Sequence, residues 1–511
     1  MTKKNALLAL FGILVLGAAL RFVGIGALSF SADEFLDINS SYGYFRTGEW
    51  KAWDFNNGQT AIVNENVARD ERANVYKWQV SQLFRFLPPT EGVARTVSAL
   101  WGIVSVALLY LVGWKLSGRR TVGLFAAFLF AVSVSGIEFD RRLRMYAMFF
   151  PIFLAFSTSL FFLYEREYKG RFKAIRKIWE RSGVNLSYLI PTLTFGILSA
   201  KTHQLTVNIV PIFGVYVLSM AVIMMRSGTG IRNRYSVTAL IGFVGVLGLW
   251  VIAPEKVRLL SGTLVFFEDH YSYFGYVVRD YVQPILALFL AGLGAWSLFR
   301  TFDRKREAVW LVASFLTPFL MAVFLWRRNE GEQYIFFAQS FLLILVAAGG
   351  YALVREVKGT LSGKWKRSAC IATIVLAVLV PDWGYFFRDN NAYRQTSSGT
   401  NANYRKVFTY VRKHADKGDA LVTRNFRNYY FSGMEARVLD YGGELSTEKL
   451  SVAELEAFMR TNPTGWFVAS DNDMDYVSRE TESYIIRTME RQSDPLLRGS
   501  VLVYRWNYTS E

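Results

Sequence analysis

The sequence predicts a polytopic α-helical membrane protein with about eleven transmembrane helices and a C-terminal α/β domain outside the membrane. Of the 511 residues, 52% are hydrophobic, and these residues occur in blocks rather than in amphipathic stripes. Many blocks approach the length of about 20 residues that a spanning helix needs. The predicted helices lie near residues 6–23, 92–113, 121–137, 144–164, 187–200, 205–225, 236–253, 283–299, 308–326, 334–354 and 368–385.

The charge pattern predicts the orientation of these helices. With a cytoplasmic N-terminus, every inside loop is rich in Lys and Arg, as the positive-inside rule requires. An odd number of spans then places the C-terminus outside a cell membrane. The net charge of +17 follows from these loops and their attraction to anionic membrane lipids. Because the basic residues are scattered over separate short loops, we expect no nucleic-acid binding. The first apolar run, preceded by Lys3 and Lys4, is interpreted as a retained signal-anchor helix.

The chain is predicted to divide into a membrane module, residues 1–385, and a C-terminal domain, residues 386–511. Two loops of the module are also expected outside the membrane. Residues 24–91 include helix-like spacing suited to the membrane interface, and residues 254–282 are crowded with Tyr and Phe. An outside domain of this size without cysteine favours a bacterial or archaeal envelope.

Strand and helix patterns alternate in the C-terminal domain, which favours a partly parallel sheet covered by helices. Strands are predicted at 419–423, 465–470 and 500–506, and helices at 401–415, 444–460 and 476–492. No Gly-rich phosphate loop, metal-ligand spacing or nucleophile elbow occurs there. We therefore expect this domain to have a structural or acceptor-guiding role.

Charged residues close to a membrane are costly, which makes them functional candidates. Two adjacent carboxylates, Asp33 and Glu34, stand shortly after the first apolar run. The other candidates are Glu138, Asp140, Arg141, Arg142, Arg144 and Tyr146 in one outer turn, Arg327, Arg328, Glu330, Glu332 and Tyr334 in another, and Lys201 with His203.

The positive-inside rule does not predict arginines in short outer turns, so these arginines indicate a functional role. The planar fork of an arginine suits phosphate, so several arginines in one pocket would bind a phosphorylated lipid head. The alternatives are arginines that snorkel to anionic lipid or pair with neighbouring acids. For Asp33 and Glu34 the alternative is a solvated pair or a helix cap, and for His203 a core or gating role is favoured over metal ligation.

A carboxylate beside phosphate-binding arginines indicates one type of reaction. Asp33 or Glu34 would deprotonate an acceptor hydroxyl outside the membrane, while a sugar leaves a polyprenyl phosphate whose charge the arginines stabilise. The rival interpretation is a transporter or flippase for a lipid-linked or anionic substrate, in which the same charges gate a path. Inverted repeats with broken spans in matching halves would support that rival, and the sequence shows neither clearly.

Three motifs in order carry a family resemblance. They are the DE pair after the first span, VARTVSALWGI at 93–103 followed by the GRR turn, and RMYAMFF at 144–150 after an acidic and basic turn. With these motifs the chain resembles the polyprenyl-phosphate-sugar-dependent transferases that include protein O-mannosyltransferases and lipid A aminoarabinose transferases. Those enzymes have the GT-C membrane fold. The resemblance covers roughly the first 165 residues in good register.

The resemblance implies an inverting glycosyltransferase in which Asp33 is the base and Glu34 stands beside it. It places Arg141, Arg144 and Tyr146 near the donor phosphate, with Arg328 as a further basic group. Secondary positions in the cavity are Glu138, Asp140, Arg72, Lys201, His203, Glu332 and Tyr334.

The expected partners are a polyprenyl-phosphate-linked sugar, a lipid, glycan or protein acceptor, and membrane lipids. No bound metal is expected to be required, because the leaving group is a monophosphate. A divalent cation held by Asp33, Glu34 and Asp140 together is the alternative.

Overall fold

The computed structural model describes residues 2–60, 71–231, 233–255, 258, 270–326, 330–360, 362–395, 402–441, 448–494, 497 and 501–508. Most of these residues are helical. In chain order the α-helices are α1 Lys3–Phe22, α2 Ala32–Thr47, α3 Asn74–Leu83, α4 Glu91–Ser117, α5 Arg120–Ala131, α6 Val134–Asp140, α7 Tyr146–Glu165, α8 Lys173–Ser182, α9 Leu189–Thr202, α10 Ile209–Met224, α11 Arg234–Ile252, α12 Ser272–Val278, α13 Pro284–Trp296, α14 Lys305–Phe324, α15 Gln339–Thr360, α16 Gly363–Leu379, α17 Tyr404–His414, α18 Asn428–Phe431, α19 Val452–Thr461, α20 Asp471–Met474 and α21 Arg479–Thr488.

Eight helices within the described residues are long and apolar enough to cross a membrane. They are Lys3–Phe22, Glu91–Ser117, Tyr146–Glu165, Gln204–Gly228, Arg234–Ile252, Pro284–Thr301, Lys305–Phe324 and Phe336–Thr360. Two bent helix pairs, counted as one span each, raise the number to ten. The chain is therefore a multi-pass membrane protein, and the predicted helical membrane class is confirmed.

Three predicted spans differ from simple straight helices. The span predicted at 121–137 is two helices, Arg120–Ala131 and Val134–Asp140, bent by 62°. The span predicted at 187–200 corresponds to Leu186–Thr202, which follows Lys173–Ser182 after a bend of 107°. The last predicted span, 368–385, overlaps α16, a helix of 17 residues. Hydropathy finds apolar runs but does not detect breaks within them.

The break between α5 and α6 is stabilised by Arg21, the penultimate residue of α1. Its Nη2 donates to the carbonyl of Phe130 at 3.2 Å, and its Nη1 donates to the carbonyl of Ala131 at 3.0 Å. Carbonyls at a helix end have no partner within their own helix, and in a membrane protein another part of the chain must supply one. Arg21 supplies that partner from a different span.

Small residues allow α13 and α15 to pack closely. A Cβ atom on Gly294 would lie 2.0 Å from the carbonyl oxygen of Leu345, and one on Gly349 would lie 1.8 Å from that of Leu290. Neither position can hold a side chain without moving a helix. Contact of this kind is typical of membrane helices, whose association relies on close backbone approach.

The chain separates into two compact units. The first unit comprises Met1–Arg21, Ala99–Asp140 and Met145–Tyr385, and the second comprises Phe22–Ser98, Arg141–Arg144 and Phe386–Glu511. Most of the candidate spans belong to the first unit. The predicted boundary at residue 385 between a membrane module and a C-terminal domain stays a prediction.

The second unit contains a five-stranded sheet built by the C-terminal residues. The strands are β3 Ala420–Val422, β4 Val438–Leu439, β5 Thr464–Ser470, β6 Glu490–Arg491 and β7 Val501–Asn507, after a small hairpin of β1 Trp53–Asp54 and β2 Gln59–Thr60. The order is β4-β3-β5-β7-β6, with β3 parallel to β4 and β5, and β7 antiparallel to both of its neighbours.

The predicted α/β character of this region is confirmed. The three predicted strands correspond to β3, β5 and β7, and the three predicted helices overlap α17, α19 and α21. Two short strands, β4 and β6, were not predicted, because two residues show no periodicity. The helix predicted at 476–492 is wrong at its end, where Glu490–Arg491 form β6. Residues 444–447 of the second predicted helix lie outside the described residues. The buried side chains of Leu455, Phe467 and Trp506 belong to the core between sheet and helices.

Candidate functional site

The two adjacent carboxylates lie in the first turn of α2. Ser31 is the N-cap, and its backbone N–H donates to Glu34 Oε2 at 2.8 Å while its hydroxyl donates to the same oxygen at 3.1 Å. This is a capping box, in which the first helical turn and the cap satisfy each other. A helix N-terminus also favours negative charge, so the local sequence S-A-D-E stabilises the start of α2.

Glu34 is buried and fully engaged. Its Oε1 and Oε2 accept from Nε and Nη2 of Arg95 at 2.7 and 2.8 Å, and the backbone N–H of Leu143 donates to Oε1 at 2.7 Å. Burial raises the pKa of Glu34, but Arg95 and the backbone donors outweigh it, so the pKa lies below its ordinary value. Glu34 is therefore held as a carboxylate by Arg95 and the backbone donors, and it anchors α2.

Arg95 extends this anchor to the segment that precedes the helix. Its Nη1 donates to the carbonyls of Ile25 and Leu28 at 3.0 and 2.8 Å, and its Nη2 donates to that of Ser29 at 2.9 Å. One arginine thus binds three carbonyls and the carboxylate of Glu34. Arg95 thus ties the segment before α2 to the first turn of that helix.

Asp33 has the opposite environment. Its side chain is 61% exposed, and its only described ion pair is with Nη2 of Arg144 at 3.3 Å. The Nη1 of the same arginine lies 3.0 Å from Oδ2 of Asp37 and 3.1 Å from the carbonyl of Asp33. Arg144, with 11% of its side chain exposed, is thus placed between two carboxylates one helical turn apart. A solvent-accessible carboxylate beside a preorganised cation can accept a proton from an incoming hydroxyl.

The same face of α2 continues to a second cation. Ser40 lies three residues beyond Asp37, and its hydroxyl accepts from Nζ of Lys77 at 3.1 Å. Lys77 is buried on α3, with its ammonium 5.8 Å from the ring centroid of Trp50. Sequence reasoning missed Asp37, Lys77 and Arg95. A helical repeat of four starting at Asp33 would have indicated Asp37, whereas nothing local singles out the other two.

The C-terminal residues of the second unit support α2 directly. The ring of Phe35 makes edge contacts with Tyr404 and Tyr430 at centroid distances of 5.4 and 5.5 Å. The Tyr430 hydroxyl accepts from the backbone N–H of Phe30 at 2.7 Å and donates to Glu91 at 2.8 Å. Residues distant in the chain therefore position the helix that carries Asp33.

Arg141, predicted near a donor phosphate, is occupied by backbone groups of the second unit. Its Nη1 and Nη2 donate to the carbonyls of Val23 and Gly24 at 2.8 and 2.9 Å, and its Nε donates to that of Ala392 at 3.1 Å. Its guanidinium also lies 4.3 Å from the ring centroid of Tyr393. These contacts favour a structural role for Arg141.

In the first unit, Asp140 is completely buried and pairs with Nε of Arg21 at 2.7 Å. Tyr146 is buried with its ring 5.2 Å from that of His203, whose Nδ1 accepts from the backbone N–H of Leu205 at 3.1 Å. Lys201, on the last turn of α9, is exposed.

Two acidic candidates of the first unit, Glu138 and Glu332, pair with Arg279, which sequence reasoning did not select, whereas Glu330 accepts from the Ser272 hydroxyl. The Nη2 of Arg279 lies 2.6 Å from Glu138, and its Nη1 pairs with Glu332. Glu332 also accepts from the Ser135 hydroxyl, which lies 2.9 Å from Asp280. Burial raises the pKa of Glu332 to about 7, although Arg279 opposes that shift. Arg279 thus joins Glu138 and Glu332, and the Ser135 hydroxyl links Glu332 to Asp280.

The other predicted positions are peripheral or lie beyond the described residues. Arg72 is exposed in the turn before α3, and Tyr334 is half-buried at the end of a short 3₁₀ turn, Glu332–Tyr334. Arg328 lies outside the described residues.

The first unit also contains an apolar groove between α10, α13 and α14. Its volume is about 850 Å³. The walls are almost entirely hydrophobic, and they include Val215, Gly292, Trp296, Val312, Leu316 and Phe324. A groove of this composition suits a hydrocarbon chain.

Within the described ranges, no group of three or more His, Cys, Asp or Glu side chains is placed to hold a metal ion. Asp33 and Asp37 face the guanidinium of Arg144, and both oxygens of Glu34 face Arg95. A metal ion between Asp33 and Asp37 would have to displace Arg144, so these residues as arranged do not fit one.

Comparison with known proteins gives structural but no sequence relatives. No protein-family model matches the chain, and no curated protein matches its sequence. A solved structure of the archaeal oligosaccharyltransferase AglB from Archaeoglobus fulgidus, in complex with an inhibitory peptide and a dolichol-phosphate, is similar with a TM-score of 0.62 at 11% identity. The match covers 93% of this chain and 70% of that one.

Two further structures are similar. ArnT from Cupriavidus metallidurans bound to undecaprenyl phosphate matches with a TM-score of 0.56 at 10% identity, over 100% of this chain and 99% of that one. The Archaeoglobus fulgidus oligosaccharyltransferase in complex with Zn and sulfate matches with a TM-score of 0.55 at 11% identity, over 94% and 69%. These neighbours are GT-C glycosyltransferases, and the chain has the GT-C membrane fold that its sequence motifs predicted.

Proposed function

We propose that this protein is a membrane glycosyltransferase that moves a sugar from a polyprenyl-phosphate donor to an acceptor hydroxyl, with inversion at the sugar. The observation that carries the proposal is the unequal pair at the start of α2. Glu34 is buried and neutralised by Arg95, whereas Asp33 is exposed and held beside Arg144. One carboxylate orients the helix, and the other is free to take a proton.

The chemistry follows from these positions. Asp33 accepts the proton of the acceptor hydroxyl, and the hydroxyl oxygen attacks the anomeric carbon of the sugar. The bond from that carbon to the phosphate oxygen breaks, and its electrons leave with the polyprenyl phosphate. Arg144, which lies beside Asp33, stabilises the phosphate charge.

The donor lipid is supported by the fold, which is shared with structures bound to dolichol-phosphate and to undecaprenyl phosphate.

We propose that the reaction requires no divalent metal, because Arg144 supplies positive charge beside Asp33 and Asp37. A monophosphate leaving group carries less charge than a pyrophosphate, which is consistent with an arginine as its partner. Turnover should survive treatment with a chelator. Turnover that is lost on chelation and restored by Zn²⁺, Mg²⁺ or Mn²⁺ would show that this part of the proposal is wrong.

The test is release of polyprenyl phosphate by the purified full-length protein, incubated with a panel of polyprenyl-phosphate sugars and candidate acceptors. Asp33→Asn should lower turnover by about 10²- to 10⁴-fold, the usual contribution of a general base. Asp416→Asn is a matched control, because Asp416 is an exposed aspartate with an arginine partner, Arg505 at 2.6 Å, outside α2. Equal turnover of wild type and Asp33→Asn would refute the role of Asp33.

A further inference from the structure

Helix α8, Lys173–Ser182, is only partly packed, because Ile175 and Trp179 are half-buried and its other residues are exposed. The backbone N–H of Phe172 donates to the Tyr168 hydroxyl at 3.0 Å, and Arg176 donates to the carbonyl of Gly170 at 3.1 Å. At the other end, the backbone N–H of Asn185 donates to the carbonyl of Leu163 at 2.8 Å. None of the ten residues of the helix is buried.

A helix of this kind needs a partner. Isolated helices shorter than about 12 residues are marginal in water, and helices in proteins gain most of their stability from packing of an apolar face. Within the described residues the protein covers Ile175 and Trp179 of α8 in part and leaves the side chains of Phe172 and Ile178 exposed. A further apolar surface in the surroundings of the molecule would therefore stabilise this helix.

The sequence of α8 shows what that surface is. Phe172, Ile175, Ile178 and Trp179 are spaced three or four residues apart and share one side, with Phe172 72% and Ile178 42% exposed. The other side carries the cations Lys173, Arg176, Lys177 and Arg181, with Glu180 as the one acid. A short helix that is apolar and aromatic on one side and basic on the other is typical of binding to a membrane surface.

The position of α8 fits this surface. The next helix, Leu186–Thr202, is apolar, and the chain bends by 107° between the two. Beyond the C-terminal end of α8, the backbone N–H of Asn185 donates to the carbonyl of Leu163 in α7, a candidate span, and its Nδ2 donates to the carbonyl of Glu167 at 3.2 Å. A helix nearly perpendicular to one apolar helix, and tied to the end of another, is oriented to lie along a membrane surface.

We propose that α8 is an interfacial helix that binds an anionic phospholipid surface. Its apolar side enters the boundary between headgroups and acyl chains, while its cations contact lipid phosphates. This contact fixes the end of α7 and the start of α9 relative to the bilayer. The inference does not depend on the glycosyltransferase proposal.

The first experiment measures the depth of the two sides of the helix. The full-length protein carrying Cys370→Ser receives a single spin label through Ile178→Cys or Lys177→Cys, in nanodiscs of phosphatidylcholine and phosphatidylglycerol. Collisions with oxygen, which concentrates in the bilayer, are compared with collisions with a water-soluble nickel chelate. We expect the oxygen preference to be higher at position 178 than at 177. Equal exposure of both labels to the nickel chelate would overturn the proposal.

The second experiment tests the preference for anionic lipid. A variant with K173Q, R176Q, K177Q and R181Q is purified from mixed lipid, and the retained phosphatidylglycerol is quantified. Since one cation near an anionic surface contributes about fivefold in affinity, enrichment of phosphatidylglycerol should fall at least about fivefold. The charge-matched control is K406Q, K413Q, K417Q and R487Q, four exposed positions of the second unit. Equal enrichment in the two variants would overturn the proposal.

Discussion

Two arginine–aspartate contacts, one in each compact unit, show how solvent exposure distinguishes a candidate catalytic pair from a structural pair. In the second unit, Arg144 lies between Asp33 and Asp37, and the Asp33 side chain is 61% exposed. In the first unit, Arg21 and Asp140 pair at 2.7 Å with both side chains sealed from solvent. Asp140 and Arg144 stand four residues apart in the sequence, yet they belong to different networks with different uses.

The two pairs differ in whether a substrate can reach them. A sealed pair whose arginine also binds the carbonyls of Phe130 and Ala131 can only maintain structure, because no substrate reaches it. An exposed carboxylate with a positioned cation is available to a hydroxyl and a phosphate. The comparison predicts that substitutions in the first network act on stability and those in the second act on turnover.

The largest effect is expected from Asp140→Ala. It leaves Arg21 buried without its counter-charge, which should lower the free energy of unfolding by about 3–5 kcal/mol. Denaturation of the purified protein in mixed micelles measures this loss. The double variant Arg21→Leu with Asp140→Leu is the comparison, and it should recover only part of the stability, because no unpaired charge remains but the carbonyls of Phe130 and Ala131 lose their donor. A single variant as stable as the wild type would contradict the structural role.

Arg144→Lys should lower turnover rather than stability. Lysine keeps the charge but cannot bridge Asp33 and Asp37 through two nitrogens, so we expect turnover to fall by about 10²- to 10³-fold with little change in stability. Release of polyprenyl phosphate is the readout. Arg505→Lys, at a partly exposed arginine paired with Asp416, serves as the control. Loss of folding without a specific loss of turnover would place Arg144 with Arg21 as a structural residue.

Gly102→Ala tests how tightly the sealed pair is packed. A Cβ atom at this position would lie 2.3 Å from Oδ2 of Asp140 and 2.6 Å from Nε of Arg21, so the variant should lose about 1–3 kcal/mol. Gly242→Ala is the control, because a Cβ atom there meets nothing within 4 Å and alanine favours a helix. If both variants unfold at the same denaturant concentration, residue 102 is not tightly packed against Asp140 and Arg21.

The smallest effect is expected on the pH dependence of the free energy of unfolding, through protonation of Glu34. Its pKa is lower in the folded protein than its ordinary value of 4.5, so the folded state binds this proton less readily than the unfolded state. The stabilisation is complete above pH 4.5 and is lost as the pH falls through the folded pKa. Glu34→Gln should remove this part of the acid dependence of unfolding. Identical acid profiles for the two proteins would show that Glu34 is not held as an anion.

Much of the fold was predictable from local patterns. Runs of apolar residues match the thickness of a bilayer, and alternating strands and helices identify the α/β region from residue 404 onward. The break in the span at 121–137 was not predicted, because the side chain that satisfies its carbonyls, Arg21, comes from another helix. No pattern in the local sequence predicts that contact.

The candidate site was predictable only in part. Asp33 and Arg144 were selected from their placement beside apolar runs, and the structure brings them together. Asp140 and Arg141 were selected by the same reasoning, yet one is sealed against Arg21 and the other binds backbone carbonyls. Charged residues in one turn look alike in sequence, because what separates them is solvent access and the identity of distant partners.

The membrane class, the approximate span positions and the presence of a C-terminal α/β region follow from composition and periodicity, since the length of an apolar run and the repeat of a strand are local properties. The roles of the charged residues do not. Arg95, 61 residues from Glu34, turns that residue into a structural anchor, and Arg21, 119 residues from Asp140, seals that aspartate from solvent. Burial and pairing depend on which distant segments meet, and those contacts leave Asp33 as the exposed member of the pair at the start of α2.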